Sequence, residues 1–336
     1  MRRRLLLGAA LAAPLPLFST APPAWAADPA QGIAALLGQA GELEHLETAI
    51  VAIDGQVVAE RGYRGHALNG ATNIKSASKL VISALTGIAI DKGVLRGVDQ
   101  PVAPLLADSL SAGSDPKLQQ ITIGNLLSMQ AGLRSTSGRN YGAWVGSRNW
   151  VRAALAQPFD AEPGGAMVYS TGSTHLLSAI LTRRTGRSTL QLTRDWLGEL
   201  PDFAVTSWMR DPQGIYFGGN EMAMSPRSLL AFGELYRRGG VTPSGQRLIS
   251  ARWIAESWEH RTNSRYTGDG YGYGWFMRQV AGENVFYGWG FGGQMLYLVP
   301  SRRMTVVMTS DDGASAARNG HRDALHALLG RIVEAA

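Results

Sequence analysis

Ser76-Ala77-Ser78-Lys79 is the stretch whose residue types and spacing could do covalent chemistry. A serine hydroxyl attacks a carbonyl only when a base takes its proton. Serine and lysine at i and i+3 of a helix share one face and lie within reach of each other. A serine that opens a helix also offers a main-chain N–H with no intrahelical acceptor. Together with the helix dipole, that group can stabilise an oxyanion. To serve as the base, Lys79 must be largely neutral, a state that burial or nearby positive charge favours. The spacing equally suits an ordinary N-cap serine, so both readings stand at this point. A second match, Ser114-Asp115-Pro116-Lys117, lies in a Ser/Gly/Asp stretch that reads as a loop. Ser78 is the nearest rival nucleophile, but two residues turn it about 200° around the helix from Ser76.

Other signatures are missing or fail in context. The chain has no Gly-x-Ser-x-Gly, no His-Glu-x-x-His and no phosphate loop, which removes the motifs for a nucleophile elbow, a zincin site and nucleotide binding. Its six histidines (45, 66, 175, 260, 321 and 326) are scattered without ligand-like pairing, so no metal is expected. Gly288-x-Gly290-x-x-Gly293 fits a dinucleotide fingerprint formally. The next segment of the chain, Met295-Leu296-Tyr297-Leu298-Val299, reads as a strand, whereas the fingerprint needs a helix N-terminus.

The elements that must position these residues can be read from periodicity. Residues 47–63 predict a β-hairpin turned at Asp54-Gly55. A helix is predicted over 76–91, with Leu80, Val81, Leu85, Ile88 and Ala89 on one stripe and Gly93 as its stop. Between 94 and 275 come short helical segments at 122–130, 147–157, 172–185, 225–238 and 250–258. Strands return at 284–288, 294–299 and 303–310, and a helix over 318–334 closes the chain. The order implies an α+β body from 27–93 and 276–336, with a mostly helical region, 94–275, inserted between them.

The 336 residues contain no cysteine, which excludes disulfides, thiolate metal sites and a cysteine nucleophile. With 45% hydrophobic and 17% charged residues, the chain can bury a large core. Arg2, Arg3 and Arg4 precede an apolar Ala/Leu/Pro-rich run and Ala24-Trp25-Ala26, the layout of a cleaved secretory signal over 1–26. Adjacent arginines also permit twin-arginine export. Pro14, Pro16, Pro22 and Pro23 interrupt the run, which argues against a retained membrane anchor. Removal of 1–26 lowers the formal net charge from +6 to +3, a balance that offers no case for nucleic-acid binding. A periplasmic or secreted location is expected.

Five segments, in order, resemble the serine beta-lactamase and penicillin-binding-protein superfamily. The closest likeness is to its class C beta-lactamase-like branch, with the family VIII esterases and 6-aminohexanoate-dimer hydrolases. They are Ser76-x-x-Lys79 after a hairpin; Leu126-Leu127-Ser128-Met129-Gln130-Ala131-Gly132-Leu133; Pro163-Gly164 with Tyr169-Ser170 and Leu176-Leu177; Met224-Ser225-Pro226-Arg227-Ser228-Leu229; and Gly288-Trp289-Gly290-Phe291-Gly292-Gly293-Gln294 before Val299-Pro300. The likeness spans about residues 45–312.

It implies one domain over 27–336 with a beta-lactamase/transpeptidase-like α+β fold: an antiparallel sheet flanked by helices. Ser76 becomes the nucleophile, Lys79 the base and Tyr169 a proton relay matching the family's Tyr-x-Asn tyrosine. Thr171 stands where the asparagine is usual. In the family's third motif, alignment on Gly292-Gly293 puts Tyr287 where a lysine or histidine is usual. The same alignment makes the Gly290 N–H a second oxyanion donor beside that of Ser76. Trp289, Thr171, Tyr287 and Trp144 are candidate substrate contacts, with Tyr141 and Trp150 as further aromatics.

The resemblance implies a secreted serine hydrolase that forms an acyl-enzyme, carboxylic esters being the first substrate class. A small-amide or D-amino-acid peptide hydrolase is the close alternative, and beta-lactamase action another. From a different class comes a catalytically idle periplasmic binding or peptidoglycan-sensing module. No cofactor is implied, and the partner is a small ester or amide.

Overall fold

A computed structural model describes residues 29–336 except 314 and 318. The leader expected over 1–26 lies outside the described residues. Strand β1 (Leu46–Ile53) is central in its sheet and runs almost wholly buried because packed side chains cover both its faces. The Asp54-Gly55 turn has both residues at positive φ, 53° and 82°, as the predicted two-residue hairpin requires, and leads into β2 (Gln56–Gly62). Strands β3 (Thr72–Asn73), β4 (Ser207–Trp208) and β5 (Met222–Met224) form a small sheet of their own, ordered β3-β5-β4. The remaining strands are β6 (Thr262–Asn263), β7 (Gly270–Tyr271), β8 (Phe276–Val280), β9 (Glu283–Gly290), β10 (Gln294–Val299) and β11 (Met304–Ser310). With the hairpin they make an antiparallel sheet ordered β2-β1-β11-β10-β9-β8-β7-β6. Strands β6 and β7 come from the stretch expected to be helical, and they are too short to show a period.

The helices are α1 (Pro29–Gln39), α2 (Lys79–Asp91), α3 (Ile123–Leu127), α4 (Tyr141–Val145), α5 (Trp150–Leu155), α6 (Thr171–Thr185), α7 (Thr189–Leu197), α8 (Pro226–Arg237), α9 (Ala251–Ser257) and α10 (His321–Ala335). Alternation along the strands sends side chains to two separate cores. Ala49 and Val51 of β1, Met295 and Tyr297 of β10, and Val306 and Met308 of β11 pack with Leu37 of α1 and Leu325 and Leu329 of α10. Ile50, Leu296, Leu298 and Val307 face the other way, toward α2 and Leu229 and Phe232 of α8.

Two helices are buried nearly all round: α2 from Lys79 to Ala89 and α6 from Thr171 to Leu181. Such helices carry no solvent stripe. Their starts, Ser76–Lys79 and Tyr169–Thr171, meet where the sheet and the helical region join. That predicts a close-packed α2. A Cβ on Gly87 would lie 2.2–2.3 Å from ring atoms of Trp253. Overpacking of this kind costs roughly 1–3 kcal/mol, so Gly87→Ala is expected to lower the urea midpoint with an unchanged slope. A midpoint equal to wild type would show that α9 yields freely.

Candidate active site

The chain enters the site from β3 through Lys75, a non-glycine residue at φ +48°. Three contacts hold this left-handed residue, a conformation that costs energy unless its surroundings fix it. Its N–H donates to Asn73 Oδ1 at 3.0 Å, and its ammonium meets Asp312 at 2.8 Å and Glu221 at 3.5 Å. Residues Lys75–Ser78 then form a 3-10 turn that runs into α2. Ser76 therefore precedes the α-helix by one turn instead of opening it. The tighter coil keeps i and i+3 eclipsed, and Lys79 Nζ lies 2.9 Å from Ser76 Oγ. Ser78, the rival, is buried and donates to the Lys75 carbonyl at 2.7 Å. The decoy Lys117 is an exposed partner of Glu162.

Lys79 is 2% exposed, and no carboxylate is among its partners. Its other acceptors are the Gly219 carbonyl at 2.7 Å and Thr171 Oγ1 at 3.2 Å. Burial with no compensating anion brings its pKa down from 10.5 to about 7. Near neutrality a large fraction of Lys79 is thus a free amine. The Tyr169 ring lies 5.1 Å from Nζ, and its hydroxyl interacts with Ser76. Burial pushes this phenol up to about 12, only partly opposed by the Ser76 hydrogen bond. Tyr169 therefore stays protonated at neutral pH and acts as a hydrogen-bond donor. Thr171 is tied down beside Lys79: Ser137 Oγ lies 2.9 Å from its hydroxyl and accepts its N–H at 2.9 Å.

Strand β9 reaches the site beyond its partner. Pairing with β8 ends at Phe276↔Tyr287, while pairing with β10 continues to Gly290↔Gln294. Gly288-Trp289-Gly290 therefore has an edge that β8 does not cover. Gly288 and Gly290 turn their missing side chains toward α2 and the nucleophile turn. A Cβ on Gly288 would lie 2.3 Å from Leu80 Cδ1, and one on Gly290 2.3 Å from the Ile74 carbonyl. The glycines are required by this close approach.

Three sequence expectations are corrected here. Tyr287 does not take a substrate-facing basic position. Strand alternation puts it on the opposite face, fully buried, where its hydroxyl donates to Asp269 and its ring stacks on Phe276. The Gly290 carbonyl accepts from Gly293 N–H at 3.1 Å, which turns this residue's main chain toward β10. Alternation then directs the Trp289 main chain, not that of Gly290, to the open edge. Trp144 is a core residue: its indole donates to the Trp150 carbonyl, and Trp150 and Phe217 enclose it. The Trp289 ring shares the Tyr287 face, under the Arg322 guanidinium at 5.0 Å.

The family profile described as Beta-lactamase matches residues 34–331. The chain belongs to the beta-lactamase family. Solved structures share the fold of this beta-lactamase-family chain at low identity. A protein assigned as a 6-aminohexanoate-dimer hydrolase from Bacillus anthracis superposes with TM-score 0.73 at 17% identity, over 89% of this chain and 80% of its own. A penicillin-binding-protein homologue from Caulobacter crescentus gives 0.71 at 17%, over 92% and 98%. A family VIII carboxylesterase gives 0.71 at 17%, over 92% and 97%. No curated protein sequence matches. The chain is accordingly a serine hydrolase of the beta-lactamase family with the α+β fold expected.

Within this family member, sequence reading missed Gly219 and Ser137. Gly219 sits at φ +127°, and a Cβ there would come 2.8 Å from Lys79 Cγ. The Gly218-Gly219 pair was the available signal. Lys79 also leaves a stability signature. Between about 7 and 10.5 the unfolded chain holds this proton and the folded chain does not, so stability rises with pH across that window. Lys79→Met lacks the effect. Wild type is expected to gain about 2–3 kcal/mol on the variant from pH 6 to pH 9 in urea unfolding, at 1.36 kcal/mol per pKa unit. Parallel pH curves would mean that Lys79 is solvated.

Proposed function

We propose that this enzyme hydrolyses small carboxylic esters through an acyl-enzyme on Ser76. The observation that carries the reading is Lys79 itself, buried without an anion and hydrogen-bonded to Ser76. Neutral Lys79 takes the Ser76 proton as Oγ attacks the ester carbonyl. The N–H groups of Ser76 and Trp289 are the donors for the tetrahedral oxyanion. As the intermediate collapses, the protonated Tyr169 gives its proton to the departing alkoxide and regains one from the Lys79 ammonium. Water then attacks the acyl-enzyme with Lys79 again as base, which frees the acid and Ser76. The leader-like residues 1–26 support an exported enzyme.

Esters are favoured over beta-lactams because the β9 face that meets the nucleophile turn carries glycines, not a cation. Lys75 is already paired with Glu221 and Asp312, and Arg322 with Asp323. Among the described residues that face offers a penicillin carboxylate no cation, so it would be desolvated there without one. Small amides remain the second reading, since the Bacillus anthracis neighbour is assigned as a 6-aminohexanoate-dimer hydrolase.

The test is turnover of p-nitrophenyl butyrate together with intact-mass detection of the acyl adduct. Ser76→Ala is expected to remain folded and to lose both turnover and adduct. An adduct that persists in this variant would move the nucleophile elsewhere. On an alkyl ester such as ethyl butyrate, whose alkoxide needs a proton to leave, Tyr169→Phe should lower kcat at least about 10²-fold, and an effect on KM alone would remove the relay. For wild type, kcat/KM on short p-nitrophenyl esters should exceed that on nitrocefin at least about 10³-fold, roughly 4 kcal/mol in transition-state binding. Equal efficiencies would make the chain a working beta-lactamase.

A further inference from the structure

His175 and Asp211 form a buried pair one shell behind the groups that touch Ser76. His175 lies on α6, one turn beyond Thr171, and both side chains are 0% exposed. Its Nε2 is 3.1 Å from Asp211 Oδ2, while its Nδ1 accepts the Gly218 N–H at 3.3 Å. A main-chain N–H can only donate, so the neutral ring carries its proton on Nε2 and donates it to Asp211. The other Asp211 oxygen accepts the N–H groups of Gln213 at 2.8 Å and Ile215 at 2.9 Å. Rings of Trp144, Trp150 and Phe217 box the imidazole at 5.7, 5.5 and 5.8 Å between centroids. Asp211 is the one charged group among these contacts.

The residue after Gly218 supplies the carbonyl that holds Lys79 Nζ. There is no room for slack: a Cβ on Gly218 would lie 2.2 Å from the Thr174 carbonyl, and one on Gly219 2.4 Å from Thr174 Oγ1. An apolar side chain could fill the aromatic box at lower desolvation cost, because buried polar pairs are weak contributors to stability. It could not accept the Gly218 N–H. What the polar pair adds is direction, a fixed orientation for the 217–219 backbone.

We propose that the Asp211–His175 pair is a positioning device for the Lys79 base, setting the Gly219 carbonyl that keeps Nζ against Ser76. This rests on the reading of Lys79 as base. Asp211→Asn tests it with little change of shape. The carboxamide oxygen keeps the two main-chain donors and its NH2 faces Nε2, so the ring proton must move to Nδ1 and oppose the Gly218 N–H. On p-nitrophenyl butyrate, kcat should fall at least about 10-fold with KM within about 2-fold, the scale of a misplaced catalytic group. The acidic midpoint of the kcat–pH profile should also fall, because a carbonyl acceptor favours the ammonium. His175→Leu should match this loss. His175→Asn, whose amide oxygen stands where Nδ1 does, should recover most of kcat. Tyr63→Phe, which removes a remote buried hydrogen bond to the Leu37 carbonyl, controls for lowered stability and should leave kcat unchanged.

A lowered Tm with kcat and midpoint intact in Asp211→Asn would overturn the positioning role, as would equal activity of His175→Asn and His175→Leu. The second comparison decides if Asp211→Asn fails to fold. Ser76→Ala separates the two levels: its inactivity beside a fully active Asp211→Asn sinks the positioning role alone, while its activity sinks the parent reading too.

Discussion

An amine buried without a counter-charge is the constraint on which the rest of this structure depends. Lys79 could be made comfortable by one nearby carboxylate, and it would then stay an ammonium and be useless as a base. Its partners are instead two hydroxyls and one carbonyl, enough to satisfy three directions without fixing a charge. Keeping it so requires dry packing on every side. That is why α2 and the first three turns of α6 carry no solvent face, and why Gly219 presses its backbone against the lysine stem.

The same dryness drives the two titratable groups apart. Burial lowers the cation-forming Lys79 to about 7 and raises the anion-forming Tyr169 to about 12. One environment thereby yields a largely free amine and a protonated phenol from groups whose ordinary pKa values nearly coincide. The assignment of roles needs no special residue beyond depth of burial, with the Tyr169–Ser76 hydrogen bond too weak to reverse it.

Local chemistry was legible in the sequence wherever it repeats at short range. The Asp54-Gly55 hairpin, α2 and strand β10 stand where periodicity and turn residues put them. The Ser76–Lys79 contact followed from spacing, and Thr171 from its motif. Tyr287 and Gly290 were misread because a strand's two faces and two edges are set by its neighbours. A one-residue ambiguity in β9 exchanges inside for outside, and only the end of β8 reveals which edge is open. Trp144 was misread for a related cause: an aromatic near a motif looks the same whether it lines a cleft or a core. Gly219 and Asp211 lie 140 and 132 residues from Lys79 in sequence, and no local pattern connects them to it.

Lys75 is the charged residue nearest to Lys79 in the chain, and it is paired. It stands four residues before Lys79, and an unpaired ammonium there would add its own field to the site. Glu221 and Asp312 both pair with it, and Asn73 orients Glu221 at 2.7 Å. Burial is the cause of the lowered Lys79 pKa, so its proton affinity responds chiefly to water. A substrate that reaches Ser76 along the open β9 edge would displace solvent from the same side of Ser76. Each water removed further disfavours the ammonium. If Lys79 is the base proposed above, binding strengthens it at the moment it is needed. The proposed neutral ester would do this without bringing a charge of its own, whereas a carboxylate-bearing substrate would bring an anion near Lys79 and favour its ammonium.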